Sequence, residues 1–323
     1  MSFIHEVKQK VINHKSISPD EARRLSEEPI DELCSAANEI RRHFCGNIFD
    51  ICTIINAKSG QCSEDCKFCA QSSHYHTECE HHSLLSEQEM LDGAKYNADK
   101  GVLRYSLVTS GKTLSDSEID IICRTVEKIR HTVPIRICGS FGLLTGPQYV
   151  KLHKSGLTRI HNNLETSENY FPKMCTTHTF SEKLTAIHSA QNAGMTICSG
   201  GIFGIGESMQ DRIDLAYSLK ESGVKSIPVN LLNPVSGTPY ENNIPLSNEE
   251  ICRIVAVFRF ILPDAFIRLA GGRGLLADRG YTCFLSGANA SISGDMLTTA
   301  GISIDTDMKM INELGYEVKV KDE

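Results

Sequence analysis

No apolar run in the sequence approaches the roughly 20 residues that a membrane-spanning helix requires, so a bilayer is not an expected partner. Basic blocks are missing too: net charge is −7, and without clustered Lys/Arg there is no surface to meet phosphates, which argues against nucleic acid. The opening stretch, MSFIHEVKQKVINHKSISPDEARRL, lacks the basic-then-apolar order of a secretory signal, giving the expectation of a cytoplasmic protein. Linkers, low-complexity tracts and internal repeats are likewise missing, so one domain is the simplest count. What remains is a composition of 41% hydrophobic and 23% charged residues, that of a globular chain.

Cysteine, by contrast, is abundant. Thirteen cysteines in a cytoplasmic chain cannot be read as a disulfide framework, because the cytosol keeps thiols reduced and 323 residues can bury a core without staples. Metal or cluster ligation is the better reading for some of them. Cys34, Cys123 and Cys252 fall in amphipathic stretches and read as core packing.

Helix starts are marked by capping boxes at Ser18–Glu21, Ser86–Glu89, Ser115–Glu118 and Ser247–Glu250, and helix stops by Gly101, Gly156, Gly194 and Gly223. Between them, short β-rich runs fall near 48–55, 102–109, 134–139, 158–164, 195–202, 225–231, 265–270 and 288–294. Eight alternating units predict an α/β fold: a (β/α)8 TIM-type barrel, 46–300, with an N-terminal helical cap over 1–45 and a C-terminal helical tail over 301–323. Chemistry in such a barrel sits at the C-terminal ends of the strands. The loop after the first strand, AKSGQCSEDCKFCAQSSHYHTEC, is therefore placed where an active site belongs.

That loop carries Cys62-x3-Cys66-x2-Cys69, three thiolates without a regularly spaced fourth. A cubane cluster held there keeps one iron open, and a ligand with an amine and a carboxylate, such as S-adenosylmethionine (SAM), can chelate it. A zinc site completed by His74, His76 or Cys79 is the alternative, although zinc sites favour paired Cys-x2-Cys halves. The spacing, with Phe68 just before the last cysteine, resembles the signature of the radical SAM superfamily. Gly200-x-Ile202-x-Gly204-x-x-Glu207 resembles that superfamily's segment beside the adenine pocket.

NAKSGQCSEDCKFCAQSSHY, HNNLETS at 161–167, ICSGGIFGIGES at 197–208, PVNLLNPVSGTP at 228–239 and IRLAGGR at 267–273 together resemble the biotin synthase family over nearly the whole chain. The resemblance implies sulfur insertion into dethiobiotin. A 4Fe-4S cluster on Cys62, Cys66 and Cys69 would reduce SAM to a 5′-deoxyadenosyl radical, and a second iron–sulfur cluster, 2Fe-2S or a variant, would give up the sulfur. It implies further a homodimer and a low-potential electron donor, flavodoxin or ferredoxin. Period-2 geometry puts His161, Asn163 and Glu165 on one face. The resemblance assigns Asn163 to SAM and substrate, Glu165 to the ribose of SAM, and His161 and Asn230 to substrate. It places Lys183 near the SAM carboxylate and Phe68 and Ile202 in the SAM site.

One position departs from the family. The second cluster's ligands match at Cys138, Cys198 and Arg268, but Ser106 stands where a third cysteine is expected. A hydroxyl is a harder donor, protonated at neutral pH, and a poor substitute on iron sulfide. Cys52, on the first strand, is the replacement candidate; Cys45 and Cys175 are further ones. Two readings compete: a related radical SAM enzyme acting on another small substrate, and a non-catalytic zinc- or cluster-binding protein.

Overall fold

The computed structural model describes residues 2–299 and 301–320. Its strands, in chain order, are β1 (Ile48–Lys58), β2 (Arg104–Thr109), β3 (Arg136–Ser140), β4 (Arg159–His161), β5 (Thr196–Cys198), β6 (Gly201–Phe203), β7 (Ser226–Leu231), β8 (Phe266–Leu269), β9 (Ala290–Ser293) and β10 (Glu317–Val318). Every pairing between them is parallel, running β1-β2-β3-β4-β5-β7-β8-β9 and closing through β9 on β1. This is the expected eight-stranded barrel. The fifth expected strand is two short pieces, β5 and β6, parted at Ser199 and Gly200, and both pair with β7. Gly200 is required there because a Cβ would lie 1.9 Å from the Pro228 carbonyl oxygen.

Helices form where the sequence caps them. Ser86, Ser115 and Ser247 each receive the backbone N–H three residues on, while Glu89, Glu118 and Glu250 return 2.8 Å bonds to the cap N–H. Gly101, Gly156, Gly194 and Gly223 all have positive φ, the geometry that ends a helix and turns the chain toward the next strand. The helix Ile30–Cys45 of the N-terminal segment packs against Asn248–Ile261.

The C-terminal segment contains the helix Ile304–Glu313 but ends in β10, which extends the sheet beside the start of β1. Its last three residues lie outside those described. A buried ion pair, Arg273 to Asp307 at 2.5 and 2.9 Å, fastens this helix to the loop after β8. Among the described residues no helix is long and apolar enough to cross a membrane.

Candidate active site

The cysteine loop follows β1 and is held by its own backbone. Cys62 and Ser72 form a parallel bridge, and the Cys69 N–H donates to the Cys66 carbonyl at 2.9 Å. It is also fastened to the segment after β4. The Asp65 carboxylate accepts from the backbone N–H of Thr176 (2.8 Å) and Thr177 (3.1 Å), and Lys67 N–H donates to the Met174 carbonyl at 3.0 Å. Burial opposes ionisation of Asp65, but the Thr176 and Thr177 donors hold its carboxyl well below the usual range.

Cys62, Cys66 and Cys69 are half-buried and free. Burial raises the Cys69 thiol to about 11, with Cys62 and Glu165 among its charged neighbours. Cys66 Sγ lies 3.7 Å from Cys175 Sγ, which in turn lies 3.3 Å from His178 Nδ1; that nitrogen is 2.6 Å from Glu64 Oε2. The shared hydrogen bond pushes the Cys66 thiol up and brings Cys175 down to about 4. Among the described residues, Cys66, Cys175 and His178 form the only group of three whose ligand atoms all lie within 4.8 Å of one another. His74, His76 and Cys79, the partners considered for zinc, do not join it.

Above the barrel, at the C-terminal ends of the strands, a cavity of about 340 Å³ brings together most of the residues singled out in the sequence. Phe68 from the cysteine loop, His161 at the end of β4, Asn163 and Glu165 just beyond it, Lys183, Ile202 on β6 and Asn230 on β7 all line it. Their orientations are fixed by backbone. Asn163 Oδ1 accepts from Gly200 N–H at 3.2 Å, while Asn230 donates to the Gly201 carbonyl and accepts from Gly271 N–H, both at 3.0 Å. Glu207 closes the turn after β6 by accepting from Gly204 and Ile205 N–H and pairing with Arg212 at 2.7 Å, which presents Ile202 to the cavity.

β4 itself ends at His161, so the shared face of His161, Asn163 and Glu165 is carried beyond the strand, with Glu165 at φ +70 bridging to Gly201. Burial raises the Glu165 carboxyl while the Lys183 ammonium counteracts it.

Ser106 lines the floor of the cavity, and beneath it, inside the barrel, stand Cys52, Cys138, Cys198 and Arg268, all five buried. Arg268 NH1 lies 3.3 Å from Cys52 Sγ, and Ser226 Oγ is 3.1 Å from Cys198 Sγ. Ser106 and Cys138 are register neighbours across β2 and β3, and His161 contacts the Cys138 thiol. Burial pushes the Cys52 thiol up to about 12 against the pull of Arg268. Cys45 is remote from this group: its thiol contacts the Pro263 and Ala265 carbonyls behind the barrel.

Sequence reading missed the residues one layer lower. Asp50 faces three buried guanidiniums: Arg104 at 3.0 Å, Arg268 at 3.3 Å and Arg159 at 3.7 Å. Burial works against its charge, yet these arginines keep its carboxyl below the usual range. Their signal was present: each of Asp50, Arg104 and Arg159 stands two residues before an inward-facing position, Cys52, Ser106 and His161.

Comparison with known proteins agrees with this geometry. The Radical SAM superfamily matches residues 57–219, and the Biotin and Thiamin Synthesis associated domain matches 228–317. Among curated relatives, biotin synthase of Brachyspira hyodysenteriae is 55% identical over 320 residues, covering 99% of this chain and 96% of the relative. That of Akkermansia muciniphila is 52% identical over 321 residues, covering 99% and 100%. Among solved structures, methylornithine synthase superposes with a TM-score of 0.84 at 18% identity over 97% of both chains. HydG, a maturase of the [FeFe]-hydrogenase, does so at 0.84 and 20% over 99% of this chain and 76% of its own. At those identities the two structures speak for the fold alone. Radical SAM membership implies a 4Fe-4S cluster and SAM, for which three free thiols on one loop are a fitting donor set. With half of all positions shared along nearly its entire length, the chain belongs to the biotin synthase family of radical SAM enzymes.

Proposed function

We propose that the residues assembled here convert dethiobiotin to biotin by sulfur insertion, with Cys62, Cys66 and Cys69 holding the 4Fe-4S cluster and a second cluster held by Cys52, Cys138, Cys198 and Arg268. The observation that carries this reading is the order of layers: cysteine loop above, cavity between, thiol and guanidinium group below. When bound, the first cluster and SAM supply a 5′-deoxyadenosyl radical that takes hydrogen from unactivated carbon, and the second cluster supplies sulfur. The protein's part is positioning and exclusion of water.

Asn163, Glu165 and Lys183, with Phe68 and Ile202, are assigned to SAM: a carboxylate for ribose hydroxyls, an ammonium for the SAM carboxylate, apolar faces for adenine. Asn230 keeps one N–H and one lone pair free after its two backbone bonds, suited to the ureido group of substrate. His161 is assigned to substrate from the cavity floor, where it also contacts Cys138.

Electrostatics support the second cluster. Asp50 meets Arg268 at 3.3 Å, and among the described residues Arg268 Nε and Ser106 Oγ have no hydrogen-bond partner. A buried guanidinium N–H without an acceptor is costly, and a thiolate-ligated cluster beside Arg268 would be anionic. Cys52 is the thiol already touching Arg268, whereas Ser106 offers a hydroxyl.

A low-potential donor, flavodoxin or ferredoxin, a homodimeric state and a cytoplasmic location belong to the same reading; thirteen free cysteines suit a reducing compartment. Anaerobic reconstitution with iron and sulfide tests the first cluster: Cys66→Ala is expected to lose its absorbance and all SAM cleavage. A variant that keeps both would refute the assignment.

A further inference from the structure

Cys175 and His178 lie on the short segment between the helices Phe171–Met174 and Phe180–Asn192, and the clamp through Asp65 brings them to Cys66 of the cysteine loop. Cys66 Sγ and Cys175 Sγ are 3.7 Å apart, and Cys175 Sγ lies 3.3 Å from Nδ1 and 3.8 Å from Nε2 of His178. A tetrahedral zinc ion, with Zn–S about 2.3 Å and Zn–N about 2.05 Å, holds two sulfurs about 3.8 Å apart and sulfur and nitrogen about 3.5 Å apart. The three side chains match those separations to within about 0.3 Å.

Two further features distinguish this group from thiols that meet only by packing. The first is outer support for the imidazole. Glu64 Oε2 is 2.6 Å from His178 Nδ1, so the carboxylate accepts the Nδ1–H and leaves the Nε2 lone pair for an ion, the pairing that orients histidine ligands in zinc sites. Phe171 braces the same ring edge-on, with 5.5 Å between ring centroids. The second feature is a way in. A cavity of about 350 Å³ lined by Phe171, Cys175, His178 and the exposed Glu168 opens beside the pair, and shares no residue with the cavity assigned to SAM and substrate.

We propose that Cys66, Cys175 and His178 bind one zinc-class divalent ion in the chain that has not yet received its first cluster, with the fourth position left to water, and that ion and cluster exclude one another because both need Cys66. Binding releases the two thiol protons to solvent and oxidises nothing. The ion site stands on its own geometry, whereas the exclusion rests on the assignment of Cys66 to the first cluster above. His74, His76 and Cys79 take no part in it.

The test titrates the full chain, freed of clusters and kept anaerobic and reduced, with cobalt(II), whose visible and sulfur-to-cobalt charge-transfer bands report tetrahedral thiolate coordination; displacement of cobalt by zinc gives the zinc affinity. The unmodified chain is expected to bind one tetrahedral cobalt ion. Cys62→Ala combined with Cys69→Ala leaves the three proposed ligands in place and should give the same spectrum. Glu64→Gln should weaken binding roughly 10- to 100-fold, and Cys175→Ala and His178→Ala should weaken it more. One equivalent of zinc added before iron and sulfide should slow recovery of first-cluster absorbance in the unmodified chain but not in Cys175→Ala, whose normal recovery without zinc shows that its loop has folded. Cobalt held as tightly by Cys175→Ala and His178→Ala as by the unmodified chain, or lost in the Cys62→Ala, Cys69→Ala variant, would put the ion on the cysteine triplet and overturn the proposal. Equal retardation by zinc in the unmodified and Cys175→Ala chains would overturn the exclusion. Failure of the unmodified chain to take up a cluster without zinc would instead strike the functional reading, and the cobalt spectra would still decide the site.

Discussion

At the scale of single residues, Ser106 and Cys52 make opposite predictions. Ser106 Oγ is buried and has no hydrogen-bond partner among the described residues, so Ser106→Ala should retain biotin formation within about twofold, since nothing that the hydroxyl holds is lost. Cys52→Ser should keep 5′-deoxyadenosine formation, lose second-cluster absorbance and lose biotin. The reverse pattern would return the ligand role to Ser106. The cysteine triplet was legible from its spacing and the shared face of His161, Asn163 and Glu165 from strand parity. Phe68, Lys183, Ile202, Asn230 and Cys52 were instead singled out by comparison with the family pattern, and the structure brings the cavity residues among them together. Cys175 was visible only as a cysteine outside any strand. Its meeting with Cys66 depends on a loop-to-loop clamp through Asp65, which no local pattern encodes.

Secondary-structure elements carry a different kind of constraint. Capping boxes and positive-φ glycines gave helix ends correctly because those signals are local and chemical. The break between β5 and β6 was not legible, since its cause is the approach of the Pro228 carbonyl from a strand almost thirty residues away. Gly200→Ala should therefore cost about 1–3 kcal/mol through overpacking, and should displace Asn163, whose amide is held by Gly200 N–H. Chemical denaturation and SAM affinity would register the two effects separately; an unchanged midpoint would contradict the close approach. At the cysteine loop, Asp65→Ala removes a charged acceptor worth about 1.5–3 kcal/mol per bond. Backbone hydrogen exchange across residues 62–73 should rise while the barrel strands stay protected, and uniform protection would show that the clamp is dispensable.

For the whole molecule, the barrel interior is a charged assembly in which Asp50 opposes Arg104, Arg159 and Arg268, so cluster occupancy and folding stability should be linked. Removing the clusters with a chelator should lower the thermal midpoint. Asp50→Asn should destabilise the cluster-free chain by about 3–5 kcal/mol, the cost of breaking a buried ion pair, and the loaded chain by less. Equal losses in the two states would mean that the guanidiniums are compensated without the cluster. None of this clustering was readable from composition, because a net charge of −7 does not say which charges meet inside the barrel.

The central claim is that the cavity between the cysteine loop and the buried thiols is where sulfur enters dethiobiotin. A single-turnover reaction of anaerobically reconstituted protein with SAM, a strong reductant and dethiobiotin, followed by mass spectrometry, tests it most directly. The account predicts 5′-deoxyadenosine and biotin together, with Ser106 in place. Deoxyadenosine without biotin, from protein with both clusters verified by absorbance, would contradict it and assign the radical to another substrate.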